Sequence, residues 1–232
     1  MRFSRRFYRS AAACSAVSAV TTLMLIFLPR VYGPLRDFDA RIAAVHHPAY
    51  IARAWGYLVH PFLCLAAALG VAASRRRAAS GPAVVGFLGF LLWAFTEAGQ
   101  QALTLTTFDR WRRAYPAADE AARSLLRTQI ATYDALWDAM YVLLLIGFMV
   151  GNAFLAVALW KSPGLGRLVA VLYIAAAGLG LTNFLPEFGG PGLPPSLDFW
   201  LYPALQPAAR LLIGVYLWRA TDPEDGGAPP PL

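Results

Sequence analysis

Glu97 and Arg210 are the residues whose positions most demand a chemical account. Glu97 interrupts the run Phe90-Leu91-Leu92-Trp93-Ala94-Phe95-Thr96-Glu97-Ala98-Gly99-Gln100-Gln101, and Arg210 stands between Gln206-Pro207 and Leu211-Leu212-Ile213. An ionisable side chain inside an apolar helix costs free energy unless it meets a partner or water, so in a membrane it marks a functional site by default. Helical rise puts Glu97 about 10 Å and Arg210 about 18 Å from the same end of their helices. An extended arginine side chain spans much of that difference, so the sequence predicts that the two groups meet.

Other polar residues fall at a similar depth once the apolar runs are laid side by side. His60, Asp134, Asp138, Asn183 and Gln206 all lie toward the end of their runs that is shared with Glu97, whereas the opposite half holds little beyond Asn152. The expected ligand-binding set is therefore Glu97, Arg210, Gln100, Gln206, Asp138, His60 and Asn183, lining a pocket that opens to the outer face. Pro61, Pro203 and Pro207 strengthen the expectation, because each removes a helical hydrogen bond and frees the carbonyl four residues earlier, and freed carbonyls serve as ligands in broken-helix transporters. The competing reading is structural: polar side chains in bundles also bond neighbouring helices, for about 0.6 kcal/mol each.

Several chemistries are poorly served. The only lysine, Lys161, lies between apolar runs, so no Schiff-base site is available within them. Bis-histidine haem needs paired histidines on facing helices, and His46-His47 lies outside the run that holds His60. Those three histidines with Asp134 or Asp138 have no recognised metal-ligand spacing, and no nucleophile elbow, phosphate loop or flavin fingerprint is present. No catalytic residue, metal or cofactor is assigned, and the balance leans away from an enzyme. Cys14 and Cys64, both inside apolar runs, read as small hydrophobes.

The elements that must position these residues follow from composition. The 232 residues are 58% hydrophobic and 14% charged, with a mean hydropathy of +0.50, against about 45–50% and about 25% for soluble domains. A water-soluble globule and a disordered chain are both excluded. Six apolar runs, at about 11–28, 54–74, 82–105, 133–160, 167–185 and 199–218, are each long enough to cross about 30 Å of hydrocarbon as a helix. The expected fold is an all-α, six-transmembrane-helix bundle forming one domain over residues 1–220, followed by a disordered, acidic, Pro/Gly-rich cytosolic tail at 221–232.

Charge sets the orientation. The net charge is +7, but the basic residues sit between apolar runs instead of along one face, which suits lipid headgroups and argues against nucleic acid. Arg2, Arg5, Arg6 and Arg9, Arg75-Arg76-Arg77, Lys161 and Arg167, and Arg219 crowd short segments at one side. The other side spreads its arginines over longer segments that also carry acids. The positive-inside rule then puts both termini in the cytosol of a bacterial inner membrane.

Two outer segments look structured. Pro34 is expected to open an interfacial helix with Leu35, Phe38, Ile42 and Val45 on one side. Pro116 is expected to start a helix that runs unbroken to Trp160. Tyr133, Trp137 and Tyr141, spaced by four, read as an interfacial aromatic belt. Gly147 and Gly151 form a G-x-x-x-G suited to close helix approach, within the chain or with a membrane-complex partner that the outer cap would also serve. The leading expectation is a protein that binds or transports a small solute or lipid. The alternatives are an assembly subunit of a larger membrane complex and an enzyme acting on a lipid-borne substrate.

Overall fold

In the computed structural model, which describes residues 3–35 and 37–220, every regular element is helical. The tail expected at 221–232 lies outside the described residues. The helices are α1 (Arg5–Tyr32), α2 (Phe38–Ala44), α3 (Pro48–Arg75), α4 (Ser80–Leu103), α5 (Asp109–Ala114), α6 (Glu120–Leu159), α7 (Leu165–Phe184) and α8 (Pro195–Arg219).

Their starts have local causes. The Phe7, Ala40 and Ala122 amides donate to the side chains of Ser4, Asp37 and Asp119, which cap α1, α2 and α6, and Pro48 occupies the first turn of α3, where its missing N–H costs nothing. Two expected starts are displaced by the same chemistry. The helix after α1 begins at Phe38, not Pro34, because Asp37 supplies the cap. Pro116 belongs to a tight turn at Tyr115–Ala117, and the long helix begins at Glu120 behind Asp119.

The third apolar run does not end where its hydropathy falls. A single π-helical turn, Thr104–Phe108, joins α4 to α5, so one rod extends from Ser80 to Ala117. Threonine explains the change of winding: the Thr104 and Thr106 hydroxyls donate to the Gln100 and Ala102 carbonyls, four residues back, and compete with the backbone ladder there.

Five rods among the described residues are long and apolar enough to cross a membrane: Arg5–Tyr32, Pro48–Arg75, Ser80–Ala117, Glu120–Leu159 and Leu165–Phe188. α8 is not among them, although it runs antiparallel to α1 over most of its length. Arg9 lies over the Trp218 ring near one end and Arg30 over Phe199 near the other, and the Ser15 hydroxyl donates to the Arg210 carbonyl between them, at 2.7 Å. Side chains such as Val20, Phe95 and Val157, each more than half exposed, clothe the rods in apolar surface that points to a lipid bilayer environment.

The long helices close a ring in the order α8, α1, α3, α4, α6, α7. The tightest seam is α4 against α6, where backbones touch: a Cβ on Gly147 would lie 2.7 Å from the Trp93 amide nitrogen, and one on Gly151 2.9 Å from that of Phe90. The Gly147/Gly151 face is thus consumed inside the chain and is not free for a partner, which corrects that part of the sequence expectation. The α7–α8 seam is the lightest in the ring. One half of the bundle fills with Tyr8, Cys64, Val71, Phe90, Leu155, Leu159, Val169 and Leu217. At the other end α2, α5 and the start of α6 build a small separate core from Ile42, Phe108, Tyr115, Ile130 and Tyr133.

Candidate functional site

Between the filled half and this cap the ring stays open. A cavity of about 700 Å³ is walled by all six long helices and by Phe108 and Arg112 of the cap. Glu97, Gln100, His60, Asn183, Gln206 and Arg210 all border it. Asp138 does not: it sits on an exposed edge of α6, one turn past Asp134, which does border the cavity.

Glu97 and Arg210 share the cavity without pairing, contrary to the contact expected from their depths. No ion pair or hydrogen bond joins them. Both neighbour Trp93. The Arg210 guanidinium lies over its indole, 5.9 Å from the ring centroid, and Glu97, one turn along α4, lies beside the same ring and in the field of Arg53.

Arg53 is held by its neighbours on α3 and α1. Its Nε donates to the Leu25 carbonyl (3.2 Å), and its two terminal nitrogens donate to the phenol oxygens of Tyr32 (3.0 Å) and Tyr57 (3.1 Å). His60 is likewise engaged, with Nδ1 2.7 Å from the Thr21 hydroxyl and Nε2 3.4 Å from the Cys64 sulfur. Gln100 donates from Nε2 to the Trp137 carbonyl (2.9 Å), tying α4 to α6, and Asn183 donates to the Leu179 carbonyl of its own helix.

The cap end of the cavity is braced by two ion pairs. Arg41 of α2 donates to Asp134 of α6 at 2.6 Å across a half-exposed contact. Deeper in, Arg112 donates from Nη1 to Asp109 (3.0 Å) and to the Tyr50 hydroxyl (2.7 Å), which in turn donates to Asp109 (3.1 Å). Asp109 and Arg112 are 1% and 2% exposed, so this triangle clamps α3 to α5 with almost no water.

Not every polar group is satisfied. Gln100 Oε1, Gln206 Nε2 and Arg210 Nε are buried without a hydrogen-bond partner. Arg112, which also borders the cavity, leaves Nε and Nη2 unpaired as well, although buried polar groups are paired in the large majority of cases.

Aromatic residues form much of the wall. Tyr133 is buried, its hydroxyl donating to the Gln100 carbonyl at 3.0 Å, and Trp137 and Tyr141 stack with ring centroids 5.4 Å apart. All three border the cavity. The belt expected from their spacing is therefore an inward face of α6.

Arg53, Tyr57 and Trp93 were missing from the expected set. Their signal was in the sequence: residues 53, 57, 60 and 64 recur at helical spacing and put Arg53 and Tyr57 on the His60 face of α3. Asp109 and Arg112, three apart, sat in a segment read as connection. No protein family, curated protein or solved structure matches this chain.

Proposed function

We propose that the chain is a six-crossing protein of a bacterial cytoplasmic membrane, with both termini in the cytosol and a cavity that opens outward and binds or passes a small solute or lipid. The observation that carries this reading is the cavity itself: about 700 Å³ walled by polar side chains, inside helices whose outer surfaces are apolar. The volume is that of a small-molecule site.

The sixth crossing is supported by α8 following α1 from Arg30 to Arg9. Its hydropathy is lowered by Pro207 and by Pro203, Gln206 and Arg210, the last three of which border the cavity. Orientation is supported by Arg75, Arg76 and Arg77 at the short α3–α4 connection and by Lys161 and Arg167 at the short α6–α7 connection. In this arrangement α2 and α5 lie at the outer headgroup level, with Arg41 and Arg112 at the cavity mouth.

Two measurements test the reading. In a chain lacking Cys14 and Cys64, Asn183→Cys should react with a membrane-impermeant maleimide added outside intact cells, and Ala78→Cys only after permeabilisation; the reverse pattern overturns the orientation. Organic extracts of the purified wild type should contain a small molecule that is missing from Ala54→Phe, which fills the cavity from α3. Identical extracts would overturn the binding role.

A further inference from the structure

We propose that the cavity takes an amphiphilic anion, with a carboxylate or phosphate seated on Arg210 and Gln206 and an apolar portion lying against the α7–α8 seam. This rests on the reading that the cavity holds a ligand, and it assigns that ligand's chemistry.

The argument begins with the cations around the cavity. Arg112 has Asp109, Arg41 has Asp134, and Arg53 has two phenol oxygens, a carbonyl and the nearby carboxyl group of Glu97. Arg30 is exposed and rests on Phe27 and Phe199. Arg210 alone is both buried, at 6% exposure, and without a carboxylate or any acceptor for its side-chain nitrogens. Its guanidinium lies over the Trp93 face, and among the described residues the groups shown in its field, His60, Cys64, Tyr173 and Tyr202, include no carboxylate. A buried guanidinium without a counter-charge is among the costlier states a protein can hold, and an incoming anion removes that cost.

Gln206 points to the same kind of group. It precedes Arg210 by one helical turn, is 4% exposed, and leaves its amide donor Nε2 unbonded. Two adjacent unmatched donors on one face of α8 fit an acid group with two or more acceptor oxygens. Trp93 fixes the guanidinium plane from behind.

The rest of the ligand is set by the wall. Beyond Arg210 and Gln206 the cavity is bounded by Leu179 and Gly180 of α7 and by Phe199, Tyr202 and Pro203 of α8. These two helices pack on each other more lightly than any other neighbours in the ring. An acyl chain entering sideways from the lipid passes here without displacing a well-packed core.

The test uses the full chain in nanodiscs of phosphatidylcholine, with native mass spectrometry reading bound dodecanoic acid, dodecanol and dodecylamine. Dodecanoic acid should bind about tenfold or more tightly than dodecanol, the discrimination expected for charge-assisted hydrogen bonds. Arg210→Met should abolish that preference, Gln206→Leu should weaken it, and Arg210→Lys should retain part of it. Acetate and inorganic phosphate competing as well as dodecanoic acid would show a free anion site and overturn the amphiphile. Doping the discs with phosphatidylglycerol separates the sources: displacement of dodecanoic acid identifies a phospholipid head, and its absence a free acid. Equal binding of acid and alcohol, or tighter binding of the amine, overturns the anion and leaves the cavity reading intact; no binding of any probe overturns both.

Discussion

Arg210 lies over the ring of Trp93 at 5.9 Å and makes no ion pair with Glu97, which lies beside the same ring. Had they paired, each would have neutralised the other, and the cavity would have little left to offer a ligand. Arg210 is thus left buried without a carboxylate partner, resting on the Trp93 face.

Arg210→Met follows directly. Replacing an uncompensated buried charge by an apolar side chain of similar volume removes a desolvation cost, so the ligand-free protein should gain about 1–4 kcal/mol. Thermal unfolding in detergent should show a higher midpoint for the variant. A lower midpoint would mean that Arg210 is a structural strut.

Asp109 predicts the opposite sign. Asp109→Asn leaves Arg112, 2% exposed, without its anion and should cost about 3–5 kcal/mol. Adding Arg112→Met should recover most of the loss. A double-mutant cycle on thermal unfolding measures it, and additive losses would show that the buried pair is not coupled.

The half-exposed pair at the mouth is a built-in contrast. Arg41 and Asp134 keep 33% and 37% of their side chains exposed, so Arg41→Ala should cost under about 1 kcal/mol. The same melting assay should give a difference near its own error, and raised salt should shrink it further.

Glycine positions separate packing from mere composition. Gly147→Ala drives a methyl to 2.7 Å from the Trp93 backbone and should destabilise by about 1–3 kcal/mol. Gly178→Ala points into open space and should be neutral or slightly stabilising, since alanine favours helix. Similar melting points for the two variants would contradict the α4–α6 seam.

What could be read from the sequence depended on whether a signal was local. Apolar runs located the long helices, because crossing length and side-chain hydropathy are properties of contiguous residues; the run expected at 54–74 lies within α3, and that at 167–185 nearly coincides with α7. Glu97 and Arg210 stood out because each is a charge inside such a run. That they do not pair was not legible, because depth along two helices does not fix rotation about them. Asp138 shows the same limit: its depth suited the cavity, but its azimuth on α6 leaves it exposed. Arg53 was overlooked as a charge near a helix end, although the spacing of 53, 57 and 60 placed it on the His60 face. The π-helical turn at Thr104–Phe108 depended on hydroxyl-to-carbonyl competition, which hydropathy does not register.

The ring is fastened unevenly. Two seams along the ring from the stretch where α4 and α6 are pressed backbone to backbone, α7 and α8 meet with little interlocking. A hoop welded at one point and merely overlapped at another yields at the overlap when it is stretched. Any swelling of the interior would thus open first between α7 and α8, while the α4–α6 wall bearing Glu97, Gln100 and Tyr133 stays fixed.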